Sequence, residues 1–309
     1  MKKIIDEVEL IFLGTGGGRF ATITQKRRTG GIRLISQNFN IHLDPGPGAL
    51  IYSIEAGLAP KKIKAILVSH RHPDHYTNAE ILVEAMTKGM LKKRGIVAAP
   101  PNILVGDQET GPAISMYHQN MVQQAIILKP GVNFKVGNMQ IVATKTKHAD
   151  PQTVGFRFKI PEVGDIGYTA DTEYFEGIEE GYMGVRILIL SVMRPLGSPW
   201  TGHMTPKEAI KIVNAVKPEM VIATHFGMKM IFSGPAYEIK RIESGAIPCV
   251  EIDGNQNVLW IDAFNVKISN HYFKPPKVIT LPLGEFKIII EKWRTFLSTP
   301  TNEPPVEKA

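Results

Sequence analysis

Residues 63–75 read Ile63-Lys64-Ala65-Ile66-Leu67-Val68-Ser69-His70-Arg71-His72-Pro73-Asp74-His75, an apolar, β-branched run that delivers the chain into four potential metal ligands within six residues. The run has the composition of a buried strand. Imidazoles and a carboxylate at its end are costly to bury without a partner, and they are the donor types that suit Zn²⁺ and its first-row neighbours. If the chain stays extended, His70 and His72 point to one side. Asp74 and His75 can then turn toward a second cation across a short gap.

Upstream, Val8 to Leu13, Gly31 to Ile35 and Phe39 to Asp44 read as strands, with Gly14-Thr15-Gly16-Gly17-Gly18 and Pro45-Gly46-Pro47-Gly48 as turns between elements. Helical spacing follows at Ala49 to Leu58 and again at Ala79 to Thr87. Downstream, strands are expected at Met139 to Thr144, Thr153 to Ile160, Asp165 to Thr169, Arg186 to Val192 and Met220 to Thr224. A helix from Thr205 to Val216 has Thr205 as its cap and Pro206 in its first turn. Residues 102–130 carry no decisive pattern. Strands alternate with helices in places and follow one another in others, which argues for mixed α/β or α+β layers over an all-parallel sheet.

The chain has 309 residues, 43 % hydrophobic and 21 % charged, which is ordinary globular usage and excludes disorder as the main state. A formal charge of +7 would attract phosphates, nucleic acid or acidic membranes without proving any of them. The single Cys249 cannot form an internal disulfide, residues 1–30 lack the apolar run of a signal peptide, and no stretch is long enough to span a bilayer. The expectation is a cytoplasmic protein with no membrane contact. After Asp262 the character changes, so residues 1–262 are expected to form one domain and 263–309 a C-terminal extension. That extension includes a helical candidate from Glu285 to Leu297 and a disordered last ten residues.

His-x-His-x-Asp-His resembles the signature of the metallo-β-lactamase superfamily. Phe12-Leu13-Gly14-Thr15-Gly16 and Leu43-Asp44-Pro45-Gly46-Pro47-Gly48 resemble segments of its tRNA 3′-processing and cyclic-phosphodiesterase branches. His148, Asp171 in Tyr168-Thr169-Ala170-Asp171-Thr172, and His225 in Ala223-Thr224-His225-Phe226-Gly227 resemble the later landmarks, in the family's order. The resemblance implies a four-layer αββα sandwich carrying two divalent cations. Zinc is the first expectation, with Mn²⁺, Co²⁺, Ni²⁺ or Fe²⁺ as alternatives. It assigns His70, His72 and His148 to one cation, Asp74, His75 and His225 to the other, and Asp171 to a place between them. It also implies a hydroxide bridging both cations as nucleophile, with Asp74 orienting it and His203 as general acid. Taken alone, without the cluster at His70, His148 reads rather as a surface histidine and Asp171 as a turn residue.

The same resemblance implies a hydrolase of phosphodiesters or phosphotriesters, with a lactone, thioester, carboxylic ester or β-lactam as the alternative on the same site. Only 23 positions separate His148 from Asp171, so the long tRNA-binding arm of that branch is absent. A small-molecule substrate is therefore favoured over nucleic acid, and a homodimer is expected from the general preference for two-fold assemblies. Oxygen reduction is disfavoured, because that branch normally has an acidic residue where this chain has His72. Arg194 is a candidate to hold a substrate oxyanion and Trp200 to wall the pocket, with a structural ion pair as the other reading of Arg194. Lys26-Arg27-Arg28 reads chiefly as a solvated loop. Met116 to Met121 reads as a pocket cover, a dimer contact, or plain helix with Met116 and Tyr117 facing a core.

Overall fold

The computed structural model describes residues 8–161, 163–231, 249–253, 257–262, 265–270 and 277–282. It divides into two compact units, Met1–Met230 and Ile231–Ala309.

The first unit contains two six-stranded sheets. The first is built in sequence order from β1 (Glu9–Phe12), β2 (Ile32–Ile35), β3 (Asn40–Leu43), β4 (Ala65–Leu67), β5 (Ile96–Ala99) and β6 (Gln124–Ile127). Its first three strands are antiparallel and the pairings from β3 to β6 parallel. The second contains β7 (Asn133–Val136), β8 (Met139–Lys145), β9 (Val154–Ile160), β10 (Gly164–Tyr168), β11 (Ile187–Ser191) and β12 (Met220–Thr224). Here β7 to β10 are antiparallel and β10 to β12 parallel.

Alternation along the strands builds the layers. Ile32, Leu34, Ile41 and Leu43 face Ile141, Phe156, Phe158 and Ile166 in the core between the sheets. Each of the two phenylalanines contributes about 2–3 kcal/mol by leaving water. The helices are α1 (Arg19–Thr24), α2 (Ala49–Glu55), α3 (Pro73–Tyr76), α4 (Ala79–Met86), α5 (Pro101–Leu104), α6 (Met116–Gln119) and α7 (Pro206–Val216). Leu82, Val83 and Met86 of α4 cover Ile66 and Val97 on the outer face of the first sheet. Ala209, Ile212 and Val216 of α7 cover Leu188 and Leu190 on the outer face of the second. The result is the expected αββα sandwich.

Local chemistry explains the start of α7. Pro206 occupies its first turn, Thr205 and Glu208 form a capping box, and the Glu208 carboxylate accepts the Thr205 backbone N–H at 2.7 Å. Residues 102–130 resolve into most of α5, then α6 and the edge strand β6, whose largely exposed side chains give it no alternating pattern. Met116 and Tyr117 are exposed, which corrects the expectation that they face a core. Ser115 and His118 instead tie this segment to Glu80 and Glu84 of α4.

In the second unit β13 (Cys249–Asp253), β14 (Asn257–Asp262), β15 (Asn265–Asn270) and β16 (Lys277–Pro282) form one antiparallel meander. The boundary expected after residue 262 falls inside this sheet, between β14 and β15, which pair from Asn257↔Asn270 to Ile261↔Val266. Hairpin pairing thus joins what a change of composition had separated. The helical candidate 285–297 and the last ten residues lie outside the described residues.

Candidate metal centre

The C-terminal ends of β1, β3, β4, β8, β10 and β12 lie along one edge of the sandwich, and the loops that leave them carry the chemistry-bearing residues. His70 follows β4. Pro73 opens α3, which turns Asp74 and His75 back toward the same edge. His148 follows β8, Asp171 follows β10 and His225 follows β12. His70, Asp74, His75, Asp171 and His225 are all buried.

Ligand atoms of His70, His72, His148 and Asp171 lie within 4.8 Å of one another, as do those of Asp74, His75 and His225. Asp171 connects the two groups. Its Oδ2 is 3.9 Å from His70 Nε2 and 3.7 Å from His75 Nε2, and its Oδ1 is 3.2 Å from His225 Nδ1. The structure therefore brings together all seven residues that the resemblance named.

Hydrogen bonds on the far side of the rings assign the tautomers. His75 Nδ1 donates to Asp44 Oδ2 at 2.9 Å, and His148 Nδ1 donates to the Gly202 carbonyl at 2.8 Å. His70 Nδ1 donates to Ser69 Oγ at 3.0 Å, because the Ser69 hydroxyl proton goes to Asp44 at 2.7 Å. The Nε2 lone pairs of these three rings are left facing inward. His70 Nε2 is 2.9 Å from His72 Nδ1, which is 3.1 Å from His148 Nε2, and His75 Nε2 is 3.1 Å from His225 Nε2. Lone pairs at such distances repel, whereas nitrogens around a tetrahedral cation with bonds of about 2.0–2.1 Å stand about 3.3 Å apart. Asp171 Oδ1 and His225 Nδ1 are buried without a hydrogen-bond partner. The donor set, its outer partners and these orphaned atoms all fit divalent cations.

Electrostatics agree. Burial alone would raise the Asp74 and Asp171 carboxyls, but the neighbouring His75 and His225 outweigh it and hold both below the ordinary carboxylate range. Burial pushes His70 well down, with His75 adding to the effect, and it lowers His72 as well. For His75 burial is overcome by Asp74, Asp44 and Asp171, which raise it well above an ordinary imidazole. Three carboxylates around one ring favour positive charge at this spot, which a divalent cation would supply.

His203 Nδ1 lies 3.6 Å from Asp171 Oδ2, and its ring stacks on His225 at 6.0 Å. Burial lowers its pKa to about 4, against the opposing pull of Asp171. His203, expected as general acid, is thus a largely buried side chain beside the cluster. Arg194 donates from Nε and Nη2 to Ser198, 2.8 Å in each case, and lies over the Trp200 ring at 5.3 Å. Among the described residues it makes no ion pair, and its bonds stay within its own loop. Trp200 is 61 % exposed and is bridged through its backbone to His203. Of the basic run, Lys26 is exposed as a solvated loop residue would be, but the two arginines are engaged. Arg27 is buried with its guanidinium 4.7 Å over Phe226, and Arg28 lies over Tyr52 and pairs with Glu55 at 2.9 Å.

Sequence reasoning missed the support. Asp44 accepts four hydrogen bonds, from Ser69 N, Ser69 Oγ, Tyr168 Oη and His75 Nδ1. Gly18 N–H donates to Asp74 Oδ2 at 2.7 Å, and Glu173 accepts the Gly202 N–H at 2.8 Å, which steadies the carbonyl that holds His148. Gly17 has a steric duty, since a Cβ there would lie 2.2 Å from the His225 ring. The available signal was the Asp-Pro-Gly turn directly after a buried strand, visible in the sequence but read only as a turn.

Residues 39–226 match the family model described as a beta-lactamase superfamily domain, a span that runs from β3 to just past β12 and contains the whole cluster. The chain belongs to the beta-lactamase superfamily. It is 44 % identical over 237 residues to the uncharacterized protein MJ1374 of Methanocaldococcus jannaschii, covering 76 % of this chain and 88 % of that one. It is 26 % identical over 243 residues to the ribonuclease Z of Thermococcus sibiricus, covering 76 % and 70 %. The metallo-β-lactamase fold protein YhfI of Bacillus subtilis superposes with a TM-score of 0.59 at 21 % identity, covering 72 % of this chain and 87 % of that one. The sandwich is therefore the metallo-β-lactamase fold, and the chain is a hydrolase of this superfamily. No helix among the described residues is long and apolar enough to cross a membrane.

Proposed function

We propose that this superfamily hydrolase cleaves phosphoesters, phosphodiesters or phosphotriesters, at a centre that takes two divalent cations, zinc first. The observation that carries the proposal is the meeting of two ligand groups at Asp171 with His203 beside them. His70, His72 and His148 would hold one cation and Asp74, His75 and His225 the other, with Asp171 shared. When bound, such a pair lowers the pKa of water and neutralises charge on the attacking and leaving oxygens of an in-line displacement.

The chain's own residues do the rest. Asp44 and the Gly202 carbonyl fix the rings of His75 and His148. Asp74, itself fixed by the Gly18 N–H, orients the attacking water. His203, a ring left neutral at neutral pH by its burial, takes up the proton released by the attacking water and passes it to the leaving oxygen. Similarity to a ribonuclease Z supports phosphorus over carbon. The second reading, a lactone, thioester or other carbonyl ester, rests on the same centre, because activated water and a Lewis acid also serve a carbonyl.

Metal content of the purified protein, measured with hydrolysis of bis-p-nitrophenyl phosphate, paraoxon and a lactone before and after chelation, tests the proposal. About two metals per chain, with phosphoester turnover lost to chelator and restored by metal, is expected. A protein without metal overturns it, and lactone turnover exceeding both phosphoesters by orders of magnitude moves the enzyme to the carbonyl class.

A further inference from the structure

The opposite end of the first sheet carries a second assembly. A hollow of about 550 Å³ opens where β3, β4 and β5 begin, and among the described residues its lining includes Asn40, Lys61, Lys62, Lys64, Lys88 and Arg94 but no Asp or Glu. Asn40 and Asp44 stand at opposite ends of β3, four residues and so about 13 Å apart along the strand, which separates the hollow from the metal centre. We propose that this hollow binds a chain of phosphate groups.

Local structure gathers the charges. Arg94 donates to the carbonyls of Lys61 and Ile63 at 3.1 and 3.2 Å, and Lys64 donates to the Asn38 carbonyl at 2.8 Å, so the loop before β4 is pinned with its lysines at the rim. Lys61, Lys62 and Lys88 are exposed, and among the described residues their side chains have no hydrogen bond or ion pair. Five like charges around one hollow repel one another unless an anion joins them.

An independent observation lies behind the hollow. Arg33 is fully buried, and it donates to Asn40 Oδ1 and, at 3.3 Å, to Ser53 Oγ. Its Nε has no hydrogen-bond partner, and among the described residues no carboxylate pairs with it. Buried guanidinium groups are ordinarily paired. Because Arg33 occupies the Asn40 carbonyl, Asn40 has only its amide donors left to offer the hollow. Both layers of the assembly thus present donors and positive charge to one place.

The ligand class follows. Mobile ammonium groups suit several oxyanions in series, and among the described residues no aromatic side chain lines the hollow to stack a base. The volume is of nucleotide size. Two sources share this chemistry, a free oligophosphate and the backbone of a nucleic acid. The inference does not depend on what the metal centre cleaves.

The test uses the full, metal-loaded chain, a fluorescein-labelled 20-nucleotide thymidine strand read by anisotropy, and inorganic tripolyphosphate and poly-glutamate as competitors. The triple variant Lys61→Gln, Lys62→Gln, Lys88→Gln is compared with a control of equal charge, Lys135→Gln, Lys159→Gln, Lys207→Gln, whose lysines are exposed elsewhere. The hollow variant should weaken binding at least tenfold while the control stays within twofold. The slope of log affinity against log salt should fall by about 2. Affinity that rises with strand length assigns the nucleic-acid backbone. Displacement by micromolar tripolyphosphate without a length dependence assigns a free oligophosphate. Equal losses in both variants, equal competition by poly-glutamate per charge, or no binding below millimolar overturns the proposal. Melting curves of both variants verify that they fold.

Discussion

At one end of β3 imidazoles and carboxylates crowd together; at the other stand cations and amide donors. Past Leu43 the buried polar atoms without a hydrogen bond include a carboxylate oxygen, Asp171 Oδ1, and an imidazole nitrogen, His225 Nδ1, which face each other at 3.2 Å. Behind Asn40 the orphan is a donor, Arg33 Nε. A buried polar atom without a partner costs about 1–3 kcal/mol wherever it sits, and its type tells what would relieve it. Acceptors gathered in one place call for a cation, and donors gathered in another call for an anion. The same short strand can serve both because its ends face different loops.

Breaking the acceptor end should have the largest effect. Asp171→Asn removes the carboxylate that the proposed centre shares between both ligand groups, and loss of one partner from a buried charge cluster costs about 3–5 kcal/mol, so turnover should fall by roughly two to four orders of magnitude. Metal analysis should show one equivalent lost, and a variant that retains two metals and full turnover would break the assignment. His203→Ala should lower kcat about a hundredfold on substrates with alkoxide leaving groups. On p-nitrophenolate esters, which leave without help, the loss should be only a few-fold, with metal content unchanged. Equal losses on both substrates would remove the acid role. Asp44→Asn leaves every ligand in place and weakens the outer support of His75 directly and of His70 through Ser69, so metal affinity should fall about 10–100-fold in a competitive chelator titration.

The middle of the strand gives the smallest effect and sharpens the contrast. His42 is wholly buried, donates from Nε2 to the Gly30 carbonyl at 2.8 Å, and has its pKa pushed down to about 3 by burial, with Arg33 adding to the effect. A folded-state pKa below the ordinary 6.5 means that the unfolded chain binds more protons between those values. The contribution of His42 to stability is therefore present above pH 6.5 and lost as pH falls toward 3. Between pH 6 and 4.5 wild type should lose up to about 1.4 kcal/mol per pH unit more than His42→Gln, read from denaturant midpoints. Parallel slopes would show that burial does not control this ring.

How much of this was legible in the sequence depended on range. Strands with apolar alternation and the capped α7 are local patterns, and so is the crowding of His70 to His75. His148, Asp171 and His225 stood out only beside the family's motifs. The support did not stand out, because Asp44 meets Tyr168 across 124 positions and no local spacing announces it. The hollow was hidden for the same reason, since its cations come from the loops before β4 and β5 and from the end of α4. Edge strand β6 shows too little burial to alternate, and the second unit's sheet runs through the expected boundary at residue 262. The burial of Arg27 and His203 depends on partners from distant segments, Phe226 and Asp171 among them.

Around the cluster Asp44, Ala170 and His225 hold φ of 50°, 52° and 60°, in the left-handed region that L side chains occupy at a cost of about 1–2 kcal/mol. Ala170→Gly relieves that cost but gives up a fully buried methyl of the core and adds freedom to the unfolded chain, so the three effects should nearly cancel and a melting curve should show a change within about 1 kcal/mol. At Asp44 and His225 the strain holds side chains that glycine cannot supply, so part of the stability of the fold is given up to keep the geometry of the centre.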